Sequence, residues 1–233
     1  MISIIIPVYN QAKKLAVTLK SIADQEMNDW EIIVVNDGSK DDPEKIFTEF
    51  SSQTKLNNRF VFINQDNHGA PSARNRGFRE AQGEYLFFCD ADADLCPEAL
   101  QSLWQVLQNN PSASYAYPSF LWGNKLFKVG PFEAAKLRLA PYIHTMALIR
   151  RSDFPVSGWD ESIKKFQDWD LWLTMLAQGK SGVWLEKTLF KIATGGNISS
   201  WLPSFAYKLC PFLPSVKKYK AAMVIIKQKH GLA

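Results

Sequence analysis

Apolar and polar positions follow a repeating order through the first half of the chain. Ser3–Val8 is a continuous apolar run that predicts a buried strand. Leu15, Leu19 and Ile22 then recur at helical spacing. Glu31–Val35 is a second, β-branched run, and Ile46, Phe47 and Phe50 predict another helix. Phe60–Ile63 reads as a third strand, Ala73–Ala81 as a helix and Glu84–Cys89 as a fourth strand. Leu100, Leu103 and Leu107 mark the helix after it, with Pro97 suited to its first turn. This alternation predicts an α/β fold, a Rossmann-like, mostly parallel sheet with helices on both faces. The second half is less regular. Short strands are expected near Tyr115–Tyr117, His144–Arg150 and Val183–Leu185, and a helix from about Asp168 to Ala177. A boundary is expected near Gly195–Pro203, where Gly, Asn, Ser and Pro cluster and the acidic residues stop.

Composition narrows the class. The 233 residues are 46% apolar and 21% charged, as in a globular protein with a buried core. Pro7 and Asn10 interrupt the first apolar run and no basic segment precedes it, so no signal peptide is expected there. No apolar run nears the roughly 20 residues of a membrane span, and a cytoplasmic protein is expected. Cys89, Cys96 and Cys210 form no metal-spaced pair, and a sparse, odd set suits a reducing compartment. The net charge of +4 is uneven: six lysines and no acid lie from Trp201 onward, which leaves 21 basic against 23 acidic residues before it. A nucleic-acid-binding domain carries its basic excess on the folded body, so no nucleic-acid partner is expected. The basic tail has a helical apolar stripe, Val216, Tyr219, Met223 and Ile226, bordered by Lys217, Lys218, Lys220, Lys227 and Lys229. Such a helix could lie on an anionic membrane, holding the protein peripherally, or pack on the protein's own core.

In an open parallel sheet, ligands bind beyond the carboxyl ends of the strands. Three strands end there in polar groups: Tyr9-Asn10, Asn36-Asp37-Gly38-Ser39 and Asp90-Ala91-Asp92-Ala93-Asp94. Carboxylates at alternate positions repel one another unless a cation or donors compensate. Mg²⁺ takes such oxygens together with a ligand's phosphates. A solvated acidic turn that starts the next helix is the simpler account of the same residues. Asp37 sits in a turn that needs only Gly38 and Ser39, and its carboxylate could also accept from the N3–H of a uracil ring.

Several segments occur together and in order: Ser3-Ile4-Ile5-Ile6-Pro7-Val8-Tyr9-Asn10, Val34-Val35-Asn36-Asp37-Gly38-Ser39, Asn67-His68-Gly69 with Ala73-Arg74-Asn75, Gly83–Asp92, Gly158-Trp159-Asp160-Glu161 and Gln167-Asp168-Trp169-Asp170. Over roughly residues 1–200 this resembles the inverting family 2 glycosyltransferases, which have the GT-A fold. The resemblance implies a GT-A domain over 1–200, with a nucleotide-sugar-binding half (1–110) and an acceptor and catalytic half (111–200), followed by a basic, aromatic helical tail over 201–233. It implies that Asp37 reads the base and that Pro7 and Tyr9 wall its pocket. Arg74 would offer its fork to phosphate or ribose. Asp90 would contact ribose or a metal-bound water, and Asp92 would ligate Mg²⁺ or Mn²⁺. Asp168 would be the catalytic base.

The chain departs from the family pattern in four places. Ala93 stands where a further Asp is common, Gln167 stands where Glu precedes the base, and the loop after Leu189 has Lys191 in place of Arg and no His. Gln167 would lower the repulsion on Asp168. Lys191 would meet the diphosphate as a point charge. The resemblance implies a metal-dependent transfer, with inversion, from a nucleotide-diphosphate sugar (UDP-linked) to a hydroxyl of a saccharide or lipid-linked saccharide, as in cell-surface polysaccharide or glycolipid synthesis. A polyprenyl-phosphate acceptor, which needs no base, and a catalytically silent sugar-nucleotide-binding protein are the alternatives. His68 and His144 have no assigned role, and Trp122, Trp159 and Trp169 are candidate acceptor walls.

Overall fold

The structure, a computed structural model, describes residues 1–54, 59–194 and 213–232. Its elements in chain order are β1 (Ile2–Val8), α1 (Ala12–Ala23), β2 (Trp30–Asp37), α2 (Pro43–Gln53), β3 (Phe60–Gln65), α3 (Ala70–Glu80), β4 (Tyr85–Phe88), β5 (Ala93–Leu95) and α4 (Ala99–Asn109). Then follow β6 (Tyr115–Trp122), β7 (Lys125–Phe127), α5 (Ala134–Leu139), β8 (Leu148–Arg150), α6 (Gln167–Ala177), β9 (Gly182–Ile192) and α7 (Pro214–Lys229). Among the described residues they form one nine-stranded sheet of order β3-β2-β1-β4-β8-β6-β9-β5, with β7 beside β6. β3, β2, β1 and β4 are mutually parallel. Antiparallel pairs enter at β8, β7 and β5, while β6 and β9 run parallel.

The expected elements of the first half are present because their apolar runs are covered on both faces. Ile2, Ile4, Ile5 and Ile6 of β1 and Ile32–Val35 of β2 are fully buried. On α1 the buried positions include Leu15, Thr18, Leu19 and Ile22, the helical stripe read from the sequence. Gly77 of α3 lies so close to β1 that a Cβ there would come within 2.5 Å of the Ile5 side chain. Three boundaries differ from expectation. Pro97 stands in the turn before α4, not in its first turn, because Glu98 is the residue that precedes the helix. α3 starts at Ala70, with Pro71 fitted to its first turn. Of His144–Arg150 only Leu148–Arg150 is a strand, since His144 is held by its ring contacts rather than by a ladder. The Gly195–Pro203 boundary, Cys210 and the tail aromatics from Trp201 to Phe212 lie outside the described residues.

The tail helix departs from one of its two expectations. Val216 and Ile226 are fully buried, Met223 packs on the core, and the Tyr219 ring meets Phe166 edge-on at 4.9 Å. The stripe offered to a membrane is thus used inside the protein, because the domain presents an apolar surface that competes for it. Val224 and Ile225 remain exposed on the other side. No helix among the described residues is long and apolar enough to cross a membrane.

At the opposite end of the sheet from the polar turns, Glu31 joins three segments. Its carboxylate is fully buried and accepts from Ser3 Oγ (2.6 Å), Arg59 (2.5 Å) and the backbone N–H of Gln82 (2.6 Å). Burial pushes this carboxyl up, but the donors outweigh it and hold it below its ordinary value of 4.5. The node therefore stabilises the fold above about pH 4.5 and loses that contribution as pH falls through the depressed value. Glu31→Ala is expected to cost about 3–5 kcal/mol of unfolding free energy, since it strands buried donors. Urea unfolding at pH 7 checks this, and the gap between variant and wild type is expected to narrow on acidification.

Candidate functional site

Strand order 3-2-1-4 means that the chain leaves β1 for β2 on one side and later returns to β4 on the other. The crevice between the carboxyl ends of β1 and β4 is a topological switch point, where open α/β sheets bind ligands. The turns there are stitched together. Asn10, at φ 54°, donates its N–H to Ser39 Oγ (3.0 Å) and accepts from the Lys40 N–H (2.7 Å). Asp41 accepts from Ala12 N–H at 2.7 Å, supplying the start of α1 with a partner from the neighbouring turn. Pro7 is half-buried and Tyr9 exposed at this rim.

Asp37 ends β2 and is 3% exposed. One oxygen accepts from Gln65 Nε2 (2.8 Å) and His68 N–H (2.9 Å), the other from Gly69 N–H (2.9 Å). The carboxylate thus organises the β3–α3 turn and keeps one acceptor position on its second oxygen.

Asp90 and Asp92 follow β4. Thr18 of α1 holds their turn, with its hydroxyl shared between the carbonyls of Ala91 (3.0 Å) and Ala93 (2.7 Å). Asp92 is nearly buried, and its nearest donors, Lys14 Nζ and Gln11 Nε2, both stand at a loose 3.4 Å. Burial first, and the Asp90 charge second, push its carboxyl above its ordinary range, and Lys14 offsets only part of this. A desolvated, weakly partnered carboxylate is a chemically suitable anchor for a hard cation whose other positions go to phosphate and water. Among the described residues no group of three or more His, Cys, Asp or Glu could hold a metal alone, so the ligand itself would have to complete the shell.

Arg74 is buried and commits its fork within the protein, not to open solvent. One terminal nitrogen donates to Gln167 Oε1 (2.9 Å) and the other to Asp90 (3.2 Å). Its guanidinium lies 4.8 Å from the centre of the Trp159 ring, and its Nε is buried with no hydrogen-bond partner among the described residues. Trp159 is fixed in turn by Asn75, which accepts from its N–H and donates to its carbonyl, both at 2.8 Å. Asp168 stands in the first turn of α6, half-buried, accepting from Trp169 N–H at 2.8 Å. Burial raises its carboxyl above the ordinary value of 3.8, against the opposing pull of His144, the Trp169 N–H and Arg74.

His144 is the residue that sequence reasoning passes over. It packs against Phe120 and Phe190, accepts from Met146 N–H on Nδ1 (3.2 Å) and aims Nε2 at Asp90 from 3.7 Å. With Nδ1 accepting, the neutral ring carries its proton on Nε2. No local motif signals this, because the loop before β8 reaches the site only through tertiary packing. Lys191 is exposed on β9, opposite Asp94 in the β5–β9 ladder, and two residues on the Ala193 N–H donates to the Asp92 carbonyl at 3.0 Å. Trp159 and Trp169 are buried supports, the latter bonded through Nε1 to Leu137 O, so neither lines an open acceptor wall; Trp122 is half-buried.

The profile described as glycosyl transferase family 2 matches residues 3–155, which hold Asp37, Arg74, Asp90 and Asp92 and end before Asp168. An uncharacterized glycosyltransferase of Haemophilus influenzae is 27% identical over 190 residues, 76% of this chain and 63% of its own length. The chain thus spans less than two thirds of that relative. Among solved structures, S. aureus TarS 1–349 in complex with UDP-GlcNAc matches with TM-score 0.71 at 19% identity, covering 96% of this chain and 66% of that one. A mannosyltransferase of Pyrobaculum calidifontis, solved with GDP-Man and Mn²⁺, matches with TM-score 0.68 at 18% identity, covering 84% and 57%. At these identities the structural matches speak for the fold, the GT-A architecture.

The Asp92 environment makes a direct expectation. Lys14→Met removes the cation that draws the carboxyl down, so Asp92 is expected to titrate still higher in metal-free protein. A ¹³C NMR titration of its carboxyl checks this; an unchanged midpoint would show that solvent screens Lys14 at 3.4 Å.

Proposed function

Since the chain belongs to glycosyl transferase family 2, we propose that it transfers a sugar, with inversion, from a nucleotide-diphosphate sugar to a hydroxyl of a saccharide or lipid-linked saccharide. The observation that carries this reading is the Arg74 bridge, which links the Asp90 turn to Gln167 and so sets Asp168 beside the nucleotide side of the crevice. Pro7, Tyr9 and Asp37 receive the base. The free acceptor position on Asp37 suits the N3–H of uracil, which favours a UDP-linked donor. Asp90 turns to the ribose. Asp92, with the donor's own phosphates, would hold Mg²⁺ or Mn²⁺, a cation that supplies charge compensation for the leaving diphosphate when bound. Lys191, opposite Asp94 on the strand that borders Asp92, would meet the diphosphate as a point charge.

Asp168 acts as the general base. Its raised carboxyl binds a proton more strongly than an exposed Asp, which brings its basicity nearer to working pH. It takes the proton of the acceptor hydroxyl as that oxygen forms its bond to the anomeric carbon and the bond to the diphosphate breaks. The charge spreads over an oxocarbenium-like centre in the transition state. Arg74 keeps Asp90 and Gln167 in register, and the uncharged Gln167 adds no repulsion to Asp168.

Two variants separate binding from chemistry. Asp92→Ala is expected to abolish Mn²⁺-dependent UDP binding in calorimetry while the protein stays folded; unchanged affinity would remove the metal assignment. Asp168→Asn is expected to leave UDP affinity intact and to cut turnover by about 10²–10⁴. In the wild type, turnover should fall as pH drops through a value above the ordinary 3.8 of Asp, because the base must be ionised. A loss under about tenfold in Asp168→Asn would place the base elsewhere or indicate an acceptor that needs none.

A further inference from the structure

α6 begins in an unusual way. Among the described residues no side chain caps it, and the residue before it, Phe166, has φ 61°. A residue with a bulky side chain holds the left-handed region only where its surroundings enforce it. Trp169 meets the Phe166 ring edge-on at 6.0 Å, and α7 supplies a nearer partner. The Tyr219 ring closes on Phe166 at 4.9 Å and 86°. One helical turn on, the buried Asp170 carboxylate receives both Lys229 Nζ and His230 Nε2 at 2.8 Å. Lys229 reaches a second segment too, meeting Asp160 at 2.7 Å. Asp160 is chain neighbour to Trp159, the ring on which Arg74 rests. One lysine thus joins the turn under Arg74 to the turn that bears Asp168.

The helix period explains why this matters for chemistry. Asp168 and Asp170 are two residues apart in one turn, so they point about 200° apart around the α6 axis. One carboxylate faces the crevice while the other is gripped from behind. We infer that α7 is a positioning element for the reacting site, in which Lys229, His230 and Tyr219 fix the first turn of α6 and thereby set where the Asp168 carboxylate stands. The inference rests on reading Asp168 as the base. Lys229 and His230 bind Asp170, and Tyr219 packs on Phe166. Each acts through the backbone it immobilises, and a displacement of about 1 Å at a reacting group can cost about 10²-fold in rate.

The test compares the full chain with Lys229→Met, Lys229→Arg and His230→Ala. Hydrogen exchange read by segment is expected to show the amides of residues 163–171 about tenfold or more faster in Lys229→Met, with α1 and β1 unchanged. With Mn²⁺ and a panel of UDP-glucose, UDP-GlcNAc and GDP-mannose, turnover is expected to fall by up to about 10²-fold while UDP affinity holds. Lys229→Arg, which can keep both carboxylates paired, is expected to recover exchange protection and turnover. His230→Ala, a smaller loss, should show the same pattern in weaker form, and it carries the test if Lys229→Met does not fold. Unchanged protection at 163–171, or faster exchange spread evenly over the sheet, would overturn the inference. Loss of UDP affinity equal to the loss of turnover would overturn it as well. If the wild type turns over no donor in the panel, the transferase reading is what fails, and the exchange measurement still decides whether α7 grips α6.

Discussion

The site is governed by one electrostatic constraint. Asp37, Asp90, Asp92 and Asp168 are carried to one end of the sheet, where water is partly excluded and like charges repel strongly. Arg74 is the main internal answer. It is buried, shared between Asp90 and Gln167, and stacked on Trp159. The supports around it follow from that demand. Asn75 holds Trp159 by its backbone, and Gly158, at φ 68°, leaves the room for it: a Cβ there would meet Asn75 Oδ1 at 2.4 Å. Asp92 stays under-compensated, with donors only at 3.4 Å. The protein thus concentrates its least compensated charge at Asp92.

Gln167 fits within this balance. Its carbonyl oxygen accepts from Arg74 at 2.9 Å, as a Glu oxygen would, but brings no second negative charge next to Asp168. The positive charge of Arg74 is then divided between Asp90 and Asp168. The carboxyl of Asp168 remains raised by burial, although less than a neighbouring carboxylate would raise it. The amide also donates its Nε2–H to the Ile163 carbonyl at 3.2 Å, a bond that a carboxylate could not make.

Much of the fold was legible in the chain because the information was local. β1, β2 and β4 are continuous apolar runs ending in polar turns, and α1 and α4 repeat apolar residues at helical spacing. Asp90 and Asp92 were legible for the same reason, as carboxylates placed directly after a strand. What depends on distant partners was not legible. His144 reaches Asp90 across more than fifty residues through a loop with no pattern of its own. Arg74 read as a donor for a ligand because a sequence does not record what a guanidinium already holds. The α7 stripe carried its amphipathic period plainly, yet periodicity states only that one side is apolar, not whether lipid or protein covers it.

The docking of α7 also bears on the order of synthesis. Lys229 and His230 lie 59 and 60 residues beyond Asp170. At about 5–20 residues per second, a ribosome needs roughly 3–12 s to supply them after Asp170 has been made. The parallel core can collapse and the crevice can take shape within that interval, while Asp170 remains a carboxylate without its cations. The nascent domain thus passes through a stage in which the crevice is assembled and the first turn of α6 still lacks its partners Lys229 and His230. On the positioning role proposed for α7, competence arrives late in translation, with the last helix of the chain that is described.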